Sequence, residues 1–329
     1  MREKILITGG TGFIGSHLAE LLVQRNFKVT VFDRYNPIYS LGNLKDSKYK
    51  KKINFVFGDL RDYDSVDKAI KDNDKIIHLA ALIGIPYSYY SPLAYLKTNM
   101  EGTYNVLESV RNNKKTKLIL TSTSEVYGSA DYIPIDETHP LKPQSPYSAS
   151  KIAADNLALS YYNSFKTPII ILRPFNTFGP RQSERAIIPT IINQILRAKN
   201  NTISLGNLYP KREFNYVDDV CNAYLKILSS KNFGEVFNVG NGHEISMKEL
   251  VSIISKIMNK EIKVKKSKIR IRAKTSEVDL LKSNSKKIKK IIKWKPEYYG
   301  RKGLIKGLEK TVKWFLENPY KDSKGKYII

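Results

Sequence analysis

The chain is predicted to fold as an α/β protein: a doubly wound parallel sheet followed by a smaller mixed α/β domain. Three observations carry this. Short apolar runs alternate with helical periodicity through residue 175, the first run turns into a helix through three glycines, and the informative polar residues fall where the runs end. The strand-like runs are Lys4–Thr8, Lys28–Phe32, Ile53–Phe57, Lys75–Leu79, Lys117–Thr121 and Pro168–Leu172. Helical patterns lie between them at 16–25, 64–71, 93–113 and 147–165. Such alternation with short links predicts parallel strands covered by helices on both faces. Ligands on these sheets bind beyond the carboxyl ends of the strands. Thr8, Asp33, Asp59, the His78–Ala81 segment and Ser122–Glu125 all fall at those ends, which points to one shared site.

The first turn is the most specific. In KILITGGTGFIG, residues 4 to 15, the apolar run stops at Thr8 and glycines follow at Gly9, Gly12 and Gly15 before the pattern SHLAELLVQR. Glycines between strand and helix let the backbone approach a phosphate, and the free N–H groups of the helix start point at it. The second run ends in Asp33, placed to hold the ribose hydroxyls of an adenosine, as about 20 residues of separation require in the Rossmann dinucleotide fold.

After residue 175 the pattern loosens. Helical segments at 187–198, 218–229, 246–258 and 303–317 alternate with short apolar pieces. The expected division is a dinucleotide domain at 1–175 and a substrate domain at 176–329, with 215–240 returning to the first. Residues 35–52 are polar and irregular, an expected surface loop.

Composition bounds the function. At 329 residues and 41% hydrophobic the chain can bury a full core. No apolar run is long enough to span a bilayer, and the first strand begins almost at once, so neither a membrane partner nor a signal peptide is expected. The single cysteine, Cys221, excludes an internal disulfide, fits a reducing cytoplasm, and is expected to be a small buried hydrophobe. The net charge of +25 is concentrated: residues 256–329 hold 24 Lys plus Arg against 7 Asp plus Glu. Lysine interleaved with isoleucine, as in KKIKKIIKWK, is the pattern of solvated amphipathic faces. With no nucleic-acid-binding signature, the expected partner is a small anion such as a nucleotide diphosphate, not nucleic acid. No metal-ligand cluster is expected.

The chemistry gathers at two motifs. Tyr147 and Lys151 stand four apart in PYSASKIAAD, so on a helix they share a face. A free phenol titrates at about 10, too high for a base at neutral pH, and a lysine cation together with an oxidised nicotinamide favours the phenolate. The segment TSTSEVYG ends the fifth run and carries Ser122, Thr123, Ser124 and Glu125. Redox at a hydroxyl carbon needs only the tyrosine, the lysine and a hydroxyl. An added acid implies a second proton transfer.

Together TGGTGFIG, Asp33, GDLRD, HLAA, TSTSEVYG, YSASK, RPFNTFGPRQ and REFNYVDDV resemble the extended short-chain dehydrogenase/reductase superfamily, in its nucleotide-sugar epimerase/dehydratase branch. The resemblance implies NAD as cofactor. Gly9, Gly12, Phe13, Ile14 and Gly15 would cradle its pyrophosphate, Asp33 its ribose, and Asp59 and Leu60 would flank the adenine. Leu79, Ala80, Ala81, Asn99, Tyr147 and Lys151 would complete the cofactor site. Asn176, Arg181, Arg212 and Arg272 would grip the nucleotide diphosphate, with Arg270 competing for the last place. The resemblance also implies a homodimer packed through helices, for which 93–113 and 147–165 are the candidates.

Within that branch Glu125 divides the activities. The resemblance implies a shared first step, oxidation of a sugar at C4. Epimerases of the branch usually lack an acid at position 125, whereas Thr123–Ser124–Glu125 resembles the 4,6-dehydratases and the glucuronate decarboxylases. In dTDP-glucose dehydratases the middle position is typically aspartate; Ser124 departs from that and matches the GDP-mannose type. The segments 79–99, 173–192 and the basic tail resemble 4,6-dehydratases of nucleotide-activated N-acetylglucosamine, which begin legionaminic-acid and related bacterial surface-sugar pathways. The expected activity is therefore a nucleotide-sugar 4,6-dehydratase, a lyase, with the UDP or GDP form open. The alternatives are a 4-epimerase, a UDP-glucuronate decarboxylase, or less favoured, a non-enzymatic NAD-binding protein.

Overall fold

A computed structural model describes residues 2–198, 200–267, 278 and 280–319. Arg270 and Arg272 lie outside the described residues. The central sheet contains Lys4–Thr8 (β1), Lys28–Arg34 (β2), Ile53–Gly58 (β3), Lys75–His78 (β4), Lys117–Thr121 (β5) and Ile169–Pro174 (β6). All six lie within a residue or two of the runs read from sequence. Two short strands, Thr177–Phe178 (β7) and Asn215–Tyr216 (β10), pair separately; Thr202–Leu205 (β8) and Lys211–Glu213 (β9) lie between them in sequence. Val236–Val239 (β11) then joins the large sheet, giving the order β11-β6-β5-β4-β1-β2-β3 with every pairing parallel.

The parallel order follows from burial on both faces. Ile5, Leu6 and Ile7 are all fully buried, so neighbouring residues of one strand feed opposite cores. One core is built with Phe13–Gln24 (α1) and Val217–Ile227 (α8), including Leu18, Leu22, Val220 and Ile227. The other takes Tyr63–Ile70 (α2), Gly102–Asn112 (α5) and Pro146–Phe165 (α6) against Leu6, Leu118 and Ile171. The first core runs on without a break into Ile187–Arg197 (α7), Met247–Ile257 (α9) and Gly300–Glu317 (α11). The remaining strands, Glu244–Ser246 (β12), Lys263–Lys266 (β13) and Leu280–Leu281 (β14), form small sheets in the second half: β12-β9-β14 and β13-β8.

Two expectations need correction. The helical pattern at 93–113 is not one α-helix. A turn at Pro92–Tyr95 (α4), after the short Ile85–Tyr90 (α3), passes through a π-helical stretch, Leu96–Glu101, before α5. One residue is inserted in the ladder there, which re-aims Asn99 inward. The stretch 35–52 is not only loop either: it holds two single 3₁₀ turns and anchors itself with Leu44, which is fully buried. Cys221 is buried on α8. Among the described residues no helix is long and apolar enough to cross a membrane.

Candidate active site

The site opens where strand order reverses, between β1 and β4, at their carboxyl ends. Gly9 turns the chain at φ +71°, and a Cβ there would stand 2.9 Å from the backbone of Ala80. A Cβ on Gly15 would come within 2.3 Å of the Gly9 carbonyl oxygen. These two glycines let α1 start against the loop. Gly12 is its N-cap and offers no side-chain cap. The amides of Phe13, Ile14 and Gly15 therefore have no helical acceptor and face outward as a ready anion site. Gly15→Ala is expected to destabilise the fold by roughly 1–3 kcal/mol, as overpacking does, and to strip the protein of dinucleotide. Thermal unfolding and cofactor content of the purified variant measure both; unchanged values would remove the tight turn from the argument.

Asp33, at the end of β2, is fixed by Thr11, whose N–H and hydroxyl donate to Oδ2 at 3.0 and 2.5 Å. This ties the acid to the glycine loop. Asp59 is held by Arg61 (2.5 Å), whose hydrogen bond keeps its carboxyl below the usual range. Leu60 is buried, and its carbonyl accepts from Asn105 at 2.8 Å.

Beneath Leu79, Ala80 and Ala81 runs a fully determined chain of hydrogen bonds. Thr103 donates to the Asn99 carbonyl (2.5 Å), so His78 Nε2–H donates to Thr103 at 3.2 Å. The Thr8 hydroxyl accepts from Ala80 N–H (3.2 Å) and meets His78 Nδ1 at 2.7 Å. Burial, with the Lys151 charge behind it, pushes His78 down to about 3, so the ring is neutral and serves as a spacer. Asn99 spends its whole carboxamide on positioning: Oδ1 accepts from Leu82 N–H, and Nδ2 donates to the Leu82 carbonyl and to Ser150.

Helix α6 begins at a capping box. Ser145 Oγ accepts from Ser148 N–H (3.1 Å) while Ser148 Oγ accepts from Ser145 N–H (3.0 Å), with Pro146 at the first helical position. This fixes the entry angle one residue before Tyr147. Tyr147 and Lys151 are both buried on one face of α6. The phenol is pushed up by burial and pulled back by a hydrogen bond with Thr123, and it feels the Glu125 carboxylate. The Tyr95 ring stands edge-on to it at 6.2 Å. The Lys151 ammonium donates to the Thr121 carbonyl at 2.6 Å.

The strand-end residues divide their work. Thr123 caps the 3₁₀ turn Ser124–Tyr127, accepting from Glu125 N–H at 3.2 Å, and so places the acid next to the phenol. Ser124 is buried in that turn, and Ser122 turns away from the opening to donate to Asp155 at 2.7 Å. From the second half, Asn176 donates to the Glu213 carbonyl (3.3 Å), which sets it beside Arg212. Arg181 forks its guanidinium onto Glu20 of α1 at 3.0 and 3.1 Å. That ion pair ties the two halves on the flank of α1. Arg185 was not foreseen. Its Nη1 lies 3.7 Å from where a Cβ on Gly84 would stand, and its charge acts on Tyr95. Nothing in local spacing relates residue 185 to residue 84. Asp155 was also missed, although its place four residues after Lys151 put it on the same helix face.

An uncapped glycine-lined helix start, an acid at the end of the second strand and a buried Tyr–Lys pair at a switch point define a dinucleotide-dependent enzyme of the short-chain dehydrogenase/reductase type. The family described as GDP-mannose 4,6 dehydratase matches residues 6–306, and the chain belongs to it. A dTDP-D-glucose 4,6-dehydratase of Dictyostelium discoideum is 38% identical over 274 residues, 78% of this chain; the match spans 62% of that relative's length. A solved dTDP-glucose 4,6-dehydratase from Bacillus anthracis str. Ames, in complex with NAD, is 31% identical with a TM-score of 0.84, covering 96% of this chain and 97% of that one. A UDP-N-acetylglucosamine 4-epimerase from Methanobrevibacter ruminantium M1, in complex with UDP-N-acetylmuramic acid, is 31% identical with a TM-score of 0.86, covering 96% and 99%.

Proposed function

We propose that this protein is an NAD-dependent 4,6-dehydratase of a nucleotide-activated hexose, with UDP- or GDP-N-acetylglucosamine as the favoured substrate. The observation that carries the reading is Glu125, held by the Thr123 cap within electrostatic reach of Tyr147. A tyrosine and lysine alone suffice for C4 redox; a carboxylate beside them supplies the second base that elimination needs.

The residues that fit NAD are the Gly9–Gly15 turn for the pyrophosphate, Asp33 for the ribose, and Tyr147 with Lys151 at the nicotinamide end. An acid at position 33 repels a ribose phosphate, which favours NAD over NADP. NAD held by these residues would supply a hydride acceptor for C4 and, once reduced, a hydride donor for C6. Tyr147 takes the proton of the sugar 4-hydroxyl, and the Thr123 hydroxyl steadies the phenolate. The resulting C4 ketone acidifies C5–H. Glu125 removes that proton, directly or through water, and delivers it to the 6-hydroxyl, which leaves as water; Ser124 lies in the same turn. A proton restored to C5 balances the one taken from the 4-hydroxyl. Asn176 and Arg212 suit the nucleotide diphosphate, where a planar guanidinium can bond two oxygens at once.

Exposed apolar side chains on 85–112 and at the end of α6, among them Tyr90, Leu93, Leu96, Tyr104 and Phe165, support assembly as a homodimer through these helices. One buried cysteine and no disulfide among the described residues support a cytoplasmic location.

The test is mass spectrometry of product after incubation with UDP- and GDP-N-acetylglucosamine, GDP-mannose, UDP-glucose and UDP-glucuronate, without reductant. Loss of one water from an N-acetylhexosamine or hexose is expected. The likeness to the solved 4-epimerase favours a second reading, and an isomer of unchanged mass would establish it. Carbon dioxide lost from UDP-glucuronate alone would replace both.

A further inference from the structure

Below the reacting groups lies a charge cluster that the proposed chemistry does not use. Tyr147, Lys151 and Asp155 descend one face of α6 at intervals of four residues. Asp155 is wholly buried, with 0% of its surface exposed. Its Oδ2 accepts from Ser122 Oγ at 2.7 Å and from Arg173 Nε at 3.0 Å. Its Oδ1 is buried without a hydrogen-bond partner in this structure. Arg173, on β6, is itself 3% exposed; it donates through Nη1 to the Tyr127 hydroxyl at 3.0 Å and stacks its cation over that ring. Tyr127 in turn donates to Asn238 on β11 at 2.7 Å.

We propose that Asp155 is a positioning residue for the Tyr147–Lys151 pair: clamped by Arg173 and Ser122, its carboxylate is the buried counter-charge that keeps Lys151 an ammonium at the floor of the site. This rests on the reading of Tyr147 as the base. A buried ion pair is a weak source of stability, because desolvation offsets the attraction. A fully buried acid on the catalytic face therefore calls for another use.

The charged and titratable groups around Lys151 can be named element by element. From β4 there is His78, neutral; from α4, Tyr95; from the turn after β5, Glu125 and Tyr127; from β6, Arg173; and from α6 itself, Tyr147 and Asp155. Burial pulls Lys151 down from its ordinary value, and Asp155 pushes it back up. Burial likewise pushes the Asp155 carboxyl up, against which the Arg173 charge and the Ser122 hydroxyl work. With Asp155 ionised, Lys151 holds its proton to higher pH. With that charge removed, the Thr121 carbonyl alone is left to offset desolvation of the ammonium, which is lost at lower pH.

The experiment is Asp155→Asn, read in two ways. Competitive acetylation of Lys151 across pH, followed by peptide mass spectrometry, gives the titration midpoint of the amine without any substrate. The midpoint is expected to fall by about one pH unit or more, the effect of an opposite charge a few ångströms away. The alkaline limb of kcat for C4 oxidation is expected to fall with it, and Asp155→Glu to restore both. A midpoint that stays put overturns the proposal, even if kcat drops evenly at every pH, because that is the signature of structural damage alone. If none of the sugars is turned over, the labelling arm still decides, so failure of the proposed activity is distinguishable. If Asp155→Asn does not fold, Arg173→Lys against Arg173→Met reads the same coupling. The lysine variant keeps Asp155 ionised and the midpoint in place, whereas the methionine variant lowers it; equal midpoints overturn the proposal.

Discussion

Tyr147→Phe is expected to slow C4 oxidation by roughly 10²–10⁴-fold, the contribution of a positioned base, while NAD stays bound. The substitution removes one oxygen from a side chain that is 7% exposed and leaves its ring contact with Tyr95 in place. The cradle at Gly9–Gly15 and Asp33 is untouched, so cofactor content separates this effect from misfolding. The phenol needs help to act as a base: burial pushes it up, and the neighbouring Glu125 charge opposes the phenolate further. The Thr123 hydrogen bond works the other way, and a neighbouring cation, such as an ammonium or the positive charge of oxidised nicotinamide, would favour the phenolate. The measurement is nicotinamide absorbance on mixing protein with saturating nucleotide sugar. Oxidation at the wild-type rate would remove Tyr147 from the mechanism.

Glu125→Gln is expected to split the reaction in two. Oxidation at C4 proceeds, because Tyr147 and its Thr123 partner remain, but C5 keeps its proton and the 6-hydroxyl stays. Reduced nicotinamide then accumulates toward one per site, while water loss falls by roughly 10²–10⁴-fold. Product mass and absorbance followed together make the split visible. Retained dehydration would show that another group takes the C5 proton. An isomer in place of an arrested ketone would mean that the site turns the ketone over as an epimerase does. Glutamine is close in volume and can accept the same cap geometry from Thr123, so a general collapse of the turn is not the expected outcome.

What was legible in the sequence is what local chemistry dictates. Strands buried on both faces must be continuous apolar runs, and six of them were readable for that reason. The glycine turn was readable because a Cβ at Gly9 would stand 2.9 Å from the Ala80 backbone and one at Gly15 2.3 Å from the Gly9 carbonyl oxygen, which only glycine avoids. Residues set by long-range contact were not. The return of 215–240 to the first domain was readable, but strand β11 within it is four residues long, too short for periodicity to assign, and its place beside β6 is decided by packing. The π-helical stretch at Leu96–Glu101 escaped because apolar spacing cannot tell one inserted residue from a regular turn. The Glu20 partner of Arg181 was hidden for a related reason: an arginine in a polar loop has the same local appearance whether it meets a phosphate or a carboxylate. Lys151 was placed on the correct face, but its reach to the Thr121 carbonyl depends on where β5 ends.

The return of β11 to the sheet has a consequence for synthesis. Strand β6 cannot be covered until residue 239 has left the ribosome, well after Pro174 has done so. At 5–20 residues per second this leaves an unpaired strand edge for several seconds to over ten. Such an edge is a template for pairing with other chains. A fragment ended near residue 175 would keep the glycine turn and helix α6, yet carry that edge permanently. The two halves are separable in their chemistry but not as expressible pieces.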